Sequence, residues 1–311
     1  MQDDVLRQAG LGSQAVLTAQ AQLEGAFGRD PAGDQALVGA HFELLIAVDI
    51  PVVPGRRDVF AQPELAALKG VTQSPPHIWD VWAHTLAVLT ELQNLFDVLV
   101  GLYNEDASAN LSLGLAVMRL GRFRQQFASH FENQLNPNRS LRALLCFAAL
   151  YHDIGKPSSR QVGQDGKIHY YEHETVGEAM TVRRARALAL SQVEVERLAV
   201  LVRLHLRIHF MVNGAEPPSR RTIYRFFRAA GEAGVELVLL SLADRLATDG
   251  FTLNIETWER HLDVCRLLLE AWWEHPEPGL KPPRLINGHD LQSHFGLPPG
   301  ARIGECLEAV Q

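Results

Sequence analysis

The chain has 311 residues, 47% of them hydrophobic and 21% charged, which is enough apolar material for a large core in one long domain or two smaller ones. Its formal net charge of -7 disfavours an extended, sequence-independent grip on nucleic acid, because that binding mode needs many cationic contacts to phosphate. No apolar run is long enough to span a bilayer. The three cysteines are scattered and the first residues lack the basic start of a secretion signal, so we expect a cytoplasmic protein without a thiolate zinc site.

We predict three parts along the chain: an N-terminal helical body, a central domain, and a C-terminal part with a helix, a Pro-rich linker and a closing segment, over residues 1–75, 76–255 and 256–311. The N-terminal body is expected to contain helices around Gln14 to Phe27 and from Gln35 to Val48. Pro75-Pro76 marks the boundary before the central domain. Within that domain the pattern predicts a helix from Leu113 to Asn133 and a polar loop from Ser158 to Ile168.

An apolar helix in the middle of the chain ends on two ionisable side chains. Its apolar positions recur at helical spacing through Leu141, Leu144, Leu145, Ala148 and Ala149. The same stripe continues to His152 and Asp153, with Gly155 and Pro157 expected to end the helix. A buried carboxylate beside a histidine is costly to leave unpaired, and a divalent cation is one of the few partners that satisfies both.

Four further ionisable residues lie on predicted inner faces of other helices or at the start of one: His84, His173, His205 and Asp244. A single histidine on an apolar face is more often a hydrogen-bonded core residue than a ligand, and Asp244 alone could pair with an arginine. The combination with His152 and Asp153 favours a metal site over these structural roles. His209, one turn beyond His205, competes with His205 as a ligand.

These residues carry a resemblance to a known family. His84, then His152-Asp153, then Asp244 resembles the defining pattern of the HD superfamily of metal-dependent phosphohydrolases. The sequence around these residues resembles the HD domain attached to bacterial tRNA nucleotidyltransferases and poly(A) polymerases. The similar stretches are Trp79-Asp-Val-Trp-Ala-His84, Leu150-Tyr-His-Asp-Ile-Gly-Lys-Pro157, Glu172-His-Glu-Thr-Val-Gly177 and Leu242-Ala-Asp-Arg-Leu-Ala247. The resemblance runs roughly from Leu65 to Leu307 and implies an all-α fold, a helical bundle of the HD type.

The sequence departs from that family in one respect. The resembled enzymes have an N-terminal catalytic head in which two metal-binding aspartates are separated by one residue. No Asp-x-Asp occurs in this sequence, so we do not expect nucleotide addition.

The ligand types predict one or two divalent metal ions. Imidazole and carboxylate without thiolate suit Mn, Fe, Co, Ni or Zn, and also Mg when waters complete the coordination sphere. We assign one ion to the set His84, His152, Asp153 and Asp244. If His173 and His205 also converge, Asp153 can bridge a second ion. Such an ion lowers the pKa of the water that it binds to about 7, so the attacking group is solvent rather than a side chain.

Three basic residues are candidates for contact with substrate phosphate. Lys156 follows the His152-Asp153 pair and is expected to act beside Asp153 in catalysis. Arg203 and Arg207 flank His205 and could add charge-assisted hydrogen bonds. Glu172 or Glu174 could hold the second nitrogen of a ligating histidine.

The resemblance implies hydrolysis of phosphomonoesters or phosphodiesters of nucleotides, including 2′-nucleotides and 2′,3′-cyclic phosphates. The alternative is a non-catalytic helical module that binds tRNA or a separate nucleotidyltransferase subunit. A second basic cluster alternates with aromatic residues, a pattern that can bind single-stranded nucleic acid, at Arg220, Arg221, Arg225 and Arg228. We prefer to interpret it as the outer face of an amphipathic helix, with four acids available for neutralisation: Glu232, Glu236, Glu256 and Glu259.

Overall fold

The computed structural model describes residues 63–100, 110–136, 139–164, 166–274 and residue 302. The helices of this part are α1 Pro63–Ala66, α2 Val81–Leu99, α3 Leu111–Leu120, α4 Arg124–Glu132, α5 Leu141–Tyr151, α6 Lys156–Ser159, α7 His173–Ala187, α8 Gln192–Leu204, α9 Arg207–Val212, α10 Arg220–Ala230, α11 Ala233–Asp249 and α12 Ile255–Leu269. Two short antiparallel pairs join β1 Gln134–Asn136 to β2 Arg139–Ser140, and β3 Arg160–Val162 to β4 Ile168–Tyr170. The predicted all-α class is confirmed. The two helices predicted before residue 50 and the closing segment lie outside the described residues.

Helix α2 is the central element of the bundle. Asp80 caps its N-terminus by accepting a hydrogen bond of 2.7 Å from the backbone N–H of Ala83. Its apolar face is fully buried and packs against α5 and α11, so side chains such as Leu92 and Leu95 contribute about 1.5–3 kcal/mol each. Because His84 lies on this same face, its imidazole points into the interior.

The structure differs from the predicted elements at two places. The helix expected from Leu113 to Asn133 is interrupted by a 3-10 turn at Gly121–Phe123. Glycine has a low helix propensity, and the turn allows Phe123 and Phe127 both to be fully buried. The polar loop expected from Ser158 to Ile168 instead contains the end of α6 and the hairpin β3–β4, which forms one wall of the site described below.

One buried and one half-buried ion pair hold the bundle together. Glu194, in the capping box of α8, accepts a hydrogen bond from Arg139, and both side chains are buried. Burial raises the pKa of the Glu194 carboxyl, but hydrogen bonds from Ser191 and Arg139 outweigh burial and leave that pKa below its ordinary value. Arg184 of α7 donates to Glu64 of α1 at 2.7 Å, which fixes α1 to the bundle. Among the described helices, none combines the length and apolarity that a membrane crossing requires.

Candidate metal centre

The turn after α5 places the central pair of site residues. Every residue of α5 except Arg142 is buried, and Ser140 caps the helix by accepting a hydrogen bond from the N–H of Ala143. The helix ends at Tyr151, so His152 and Asp153 stand in the turn that follows it. Their side chains remain in the interior because the apolar helix before them is anchored there.

The expected roles of Gly155 and Pro157 are wrong. The helix ends before Gly155, whose φ of -79° is right-handed, and Pro157 lies within the first turn of α6 rather than preventing a helix. Gly155 is instead required by space: a Cβ there would lie 2.2 Å from the carbonyl oxygen of His173. The missing side chain therefore lets the start of α7, and with it His173, approach Asp153.

Six buried side chains from five segments converge on this turn: His84, His152, Asp153, His173, His205 and Asp244. They form two groups within which the potential ligand atoms all lie within 4.8 Å of one another, namely His84, His152 and Asp244, and Asp153, His173 and His205. Asp153 connects the two groups.

The interatomic distances show how closely the groups meet. His84 Nε2 lies 3.0 Å from Asp244 Oδ1 and 3.6 Å from Asp153 Oδ2. His152 Nε2 is 3.2 Å from that same oxygen of Asp153. On the other side, His173 Nε2 is 3.3 Å from Asp153 Oδ1. The carboxylates of Asp153 and Asp244 thus lie among the histidine rings, and each carboxylate is within 3.3 Å of at least one imidazole nitrogen.

The orientation of three imidazoles is fixed by their own backbone. The Nδ1 atoms of His152, His173 and His205 lie 2.7 Å, 2.8 Å and 2.7 Å from the carbonyl oxygens three residues earlier. A carbonyl only accepts, so each Nδ1 carries a hydrogen, and Nε2 is the nitrogen that the neutral form of each ring can offer to a metal ion. The predicted partners for this role, Glu172 and Glu174, do not form these bonds.

Burial and neighbouring charges set the protonation of the cluster. Burial raises the pKa of Asp153, but His152 and Lys156 outweigh it and hold that pKa well below its usual range. The pKa of Asp244 is likewise well below normal because His209 and His84 outweigh burial. Both carboxylates are therefore ionised at neutral pH.

The histidines differ among themselves. Burial lowers the pKa of His84, and burial with the neighbouring His152 and His173 lowers the pKa of His205 to about 3, so both are neutral. Burial also lowers the pKa of His152, but the charge of Asp153 raises it by more, so the net pKa of His152 lies above its ordinary value. A metal ligand must be the neutral form, which the first two already are.

The cluster fits a cation better than it fits a closed hydrogen-bond network. The Nε2 atoms of His84 and His152 are buried, yet no hydrogen bond of proper geometry satisfies them, and the buried Asp153 Oδ2 lies beside the Lys156 ammonium at 2.6 Å. Buried polar atoms without partners cost free energy in a protein interior. A divalent ion held by oxygen and imidazole nitrogen would satisfy both nitrogens, which matches the donor set expected for first-row transition metals or Mg.

A cavity of about 340 Å³ opens onto the cluster. Asp153, His173, His205 and Asp244 line its inner end, and residues 73–77 and strand β4 form its walls. The walls are joined because Ser74 Oγ accepts a hydrogen bond of 2.8 Å from the N–H of Ile168. Its volume is at the lower end of the range for small-molecule sites.

Lys156 connects the cavity to the cluster. Its Nζ lies 2.6 Å from Asp153 Oδ2 and donates to Gln73 Oε1 at 2.6 Å. The other two expected phosphate contacts are not brought to the cavity. Arg203 binds Thr175, Glu174 and Glu178 instead, and the exposed Arg207 is not among the cavity-lining residues.

Two further histidines belong to this region: His209, which the sequence named as a competitor of His205, and His77, which the sequence patterns did not assign there. His209 Nε2 lies 3.0 Å from Asp244 Oδ2, so His209 contacts Asp244, whereas His205 groups with Asp153 and His173. His77 lines the cavity with its ring 5.2 Å from that of His84, and burial and the nearby Lys156 lower its pKa to about 3. His77 precedes α2 and therefore has no helical periodicity that could have identified it.

Comparison with known proteins identifies the class of domain that this geometry belongs to. Residues 125–249 match the family model of the HD domain, so the chain contains an HD domain. That stretch includes five of the six clustered residues, and His84 precedes it.

Two curated relatives specify the resemblance further. The chain is 28% identical over 249 residues to a CC-adding tRNA nucleotidyltransferase of Thermus thermophilus, covering 80% of this chain and 44% of that protein. It is 29% identical over 241 residues to an A-adding tRNA nucleotidyltransferase of Deinococcus radiodurans, covering 74% of this chain and 53% of that protein. The chain thus spans about half the length of the curated relatives it matches. Its HD domain is related to tRNA nucleotidyltransferases, as the sequence motifs predicted.

Proposed function

We propose that this protein is a metal-dependent phosphohydrolase that cleaves phosphomonoesters or phosphodiesters of nucleotides, including 2′-nucleotides or 2′,3′-cyclic phosphates. The observation that supports it most is the convergence of six buried histidine and aspartate side chains, four of which line the inner end of one cavity. A structural core has no need for so many ionisable groups with unsatisfied atoms.

The proposed ligands follow from the two groups. His84, His152 and Asp244 would hold one divalent ion, and His173 and His205 a second, with Asp153 positioned between them. Mn, Ni, Co, Fe, Mg and Zn are all compatible with nitrogen and carboxylate oxygen donors. When bound, such an ion supplies a Lewis acid for a phosphoryl oxygen and acidifies water near neutral pH.

The side chains of the cavity would bind and orient the phosphate ester. Lys156 carries an ammonium group at the inner end, where it can donate charge-assisted hydrogen bonds to a phosphate oxygen. The carboxylate of Asp153 contacts that ammonium and holds it in position. His77, neutral at pH 7, provides a hydrogen-bonding imidazole on the wall. The walls formed by residues 73–77 and β4 limit the ester to about the size of a nucleotide.

The proposal is tested by hydrolysis of 2′,3′-cyclic AMP and of an aryl phosphate, with each divalent metal added in turn. Asp153→Asn and His84→Ala should lower kcat/KM by about a thousandfold or more, since several kcal/mol of charge stabilisation are lost. Asp263→Asn, an equivalent change on the half-exposed surface of α12, should leave it within about twofold. Thermal unfolding checks that each variant is folded. Equal activity in Asp153→Asn and the unaltered protein, or neither metal binding nor hydrolysis with any ion, would overturn the proposal.

A second candidate function draws on the names of the relatives, which act on tRNA. In this alternative the chain is a helical module that binds tRNA or a separate nucleotidyltransferase subunit. Binding of tRNA without hydrolysis of either phosphate ester would favour it.

A further inference from the structure

Helix α10 carries an unusual concentration of positive charge. Its eleven residues include four arginines and no acidic residue, in a chain whose net charge is -7. All four arginine side chains are exposed: Arg220, Arg221, Arg225 and Arg228. Like charges on one helix face destabilise it, so the arrangement calls for a partner of opposite charge.

The helix that carries these arginines is firmly anchored. Ile223, Phe226 and Phe227 are buried on its inner face, and Ser219 caps its N-terminus by accepting a hydrogen bond from the N–H of Thr222. The approach to α11 is close enough that a Cβ on Gly234 would lie 2.5 Å from the ring of Phe227. The arginines therefore project from a rigid surface.

Three of the four acids that the sequence offered for neutralisation are engaged elsewhere. Glu236 is fully buried between His130 and Arg197, and Glu232 also pairs with Arg197. Glu259 pairs with Arg119 of α3. Across the described ranges, neither Arg221, Arg225 nor Arg228 forms an ion pair. This differs from Arg184 and Arg139, whose charges are matched inside the fold.

We infer that the exposed arginine face of α10 binds the sugar-phosphate backbone of RNA. Arg221, Arg225 and Arg228 recur at i, i+4 and i+7, which places them on one stripe about 10 Å long. Guanidinium groups bind phosphate bidentately and remain charged at any physiological pH, so such a stripe can contact successive phosphates without reading bases. The inference deepens the second candidate function and is independent of whether the metal centre hydrolyses esters.

A matched pair of double variants tests the inference. Arg225→Ala/Arg228→Ala removes two charges from α10, whereas Arg183→Ala/Arg186→Ala removes two exposed arginine charges from α7. Binding of a fluorescein-labelled tRNA transcript is measured by anisotropy over a series of salt concentrations. We expect the α10 variant to bind about tenfold or more weakly, with the slope of log K against log salt reduced by about 1–2. The α7 variant should change the affinity by less than about twofold.

Three further measurements make the result decisive. Arg225→Lys/Arg228→Lys keeps the charge and should recover most of the salt dependence. Inorganic phosphate at matched ionic strength should not displace the transcript if several phosphates are bound together. Hydrolysis of the aryl phosphate should be equal in both alanine variants, which separates this inference from the proposed hydrolase. Equal weakening by the two alanine pairs, no binding of the transcript, or binding of phosphatidylglycerol vesicles in its place would each overturn it.

Discussion

Replacement of Gly155 by alanine should disrupt the centre through the backbone. The added methyl carbon would lie 2.2 Å from the carbonyl oxygen of His173 and 2.8 Å from the N–H nitrogen of Gly177. Favourable contacts of this kind are about 3.5 Å or longer, so the start of α7 must move by about 1 Å. Both obstructing atoms belong to the backbone and cannot rotate away. Overpacking typically costs 1–3 kcal/mol, and we expect about 3 kcal/mol here.

Gly177→Ala is the matched control, because Gly177 is the other partner of the same close approach. The nearest atom to a Cβ at that position is Val202 Cγ1 at 3.2 Å, which belongs to a side chain that can adjust. Alanine also gains about 1 kcal/mol of helix propensity over glycine within α7. The net change in the free energy of unfolding should therefore stay within about 1 kcal/mol.

Urea unfolding followed by tryptophan fluorescence measures both free energies at neutral pH. Calorimetric titration with Mn²⁺ then measures the affinity of the centre for the metal ion. A shift of His173 away from Asp153 should weaken Mn²⁺ binding about tenfold or more in Gly155→Ala and little in Gly177→Ala. If the two variants unfold at the same urea concentration, the contact between the two backbones is not what requires glycine at position 155.

Three other substitutions probe separate contacts. Glu194→Gln should lower the free energy of unfolding by about 2 kcal/mol at pH 7, because it leaves buried Arg139 without its counter-charge. Since the folded-state pKa of Glu194 is lowered, this stabilisation is present above about pH 4.5 and is lost as the pH falls further. Urea unfolding should therefore show a smaller difference in free energy between the two proteins at pH 4 than at pH 7. His209→Asn removes the side chain that contacts Asp244 and should weaken Mn²⁺ binding by about 10- to 100-fold with little loss of stability, and unchanged calorimetric affinity would contradict that role. Lys156→Met should raise KM for the aryl phosphate about tenfold or more, whereas a change confined to kcat would exclude it as a ground-state phosphate contact.

Much of the architecture could be predicted because helical periodicity reports burial directly. His84 and Asp244 each continue an apolar stripe, and a side chain on such a stripe must face the interior. The pair His152-Asp153 follows the most apolar of the described helices and therefore remains inside. The positions of these residues followed from this reasoning, and the all-α class was implied by the HD resemblance, which rests on the same positions.

Other features depend on contacts that no local pattern contains. Gly155 is glycine because a distant segment approaches it, not because its own dihedral angles demand it. His77 reaches the centre from a loop, where periodicity gives no information about direction, and the contact of His209 with Asp244 joins two helices that are distant in sequence. Arg203 flanks His205 in sequence, yet it lies on the outer side of α8 and pairs with acids of α7. Neighbours in sequence on a helix point in different directions, so adjacency alone could not place it.

The carbonyl groups that orient His152, His173 and His205 belong to the same turns as the imidazoles themselves. Each ring is consequently aligned as soon as its own segment folds, and this alignment does not require a bound ion. Capture of a cation would then require almost no reorganisation of the scaffold, unlike a zinc finger, whose chain is ordered only by its metal. Chelation should accordingly strip such a protein of its ion while leaving the helical bundle intact.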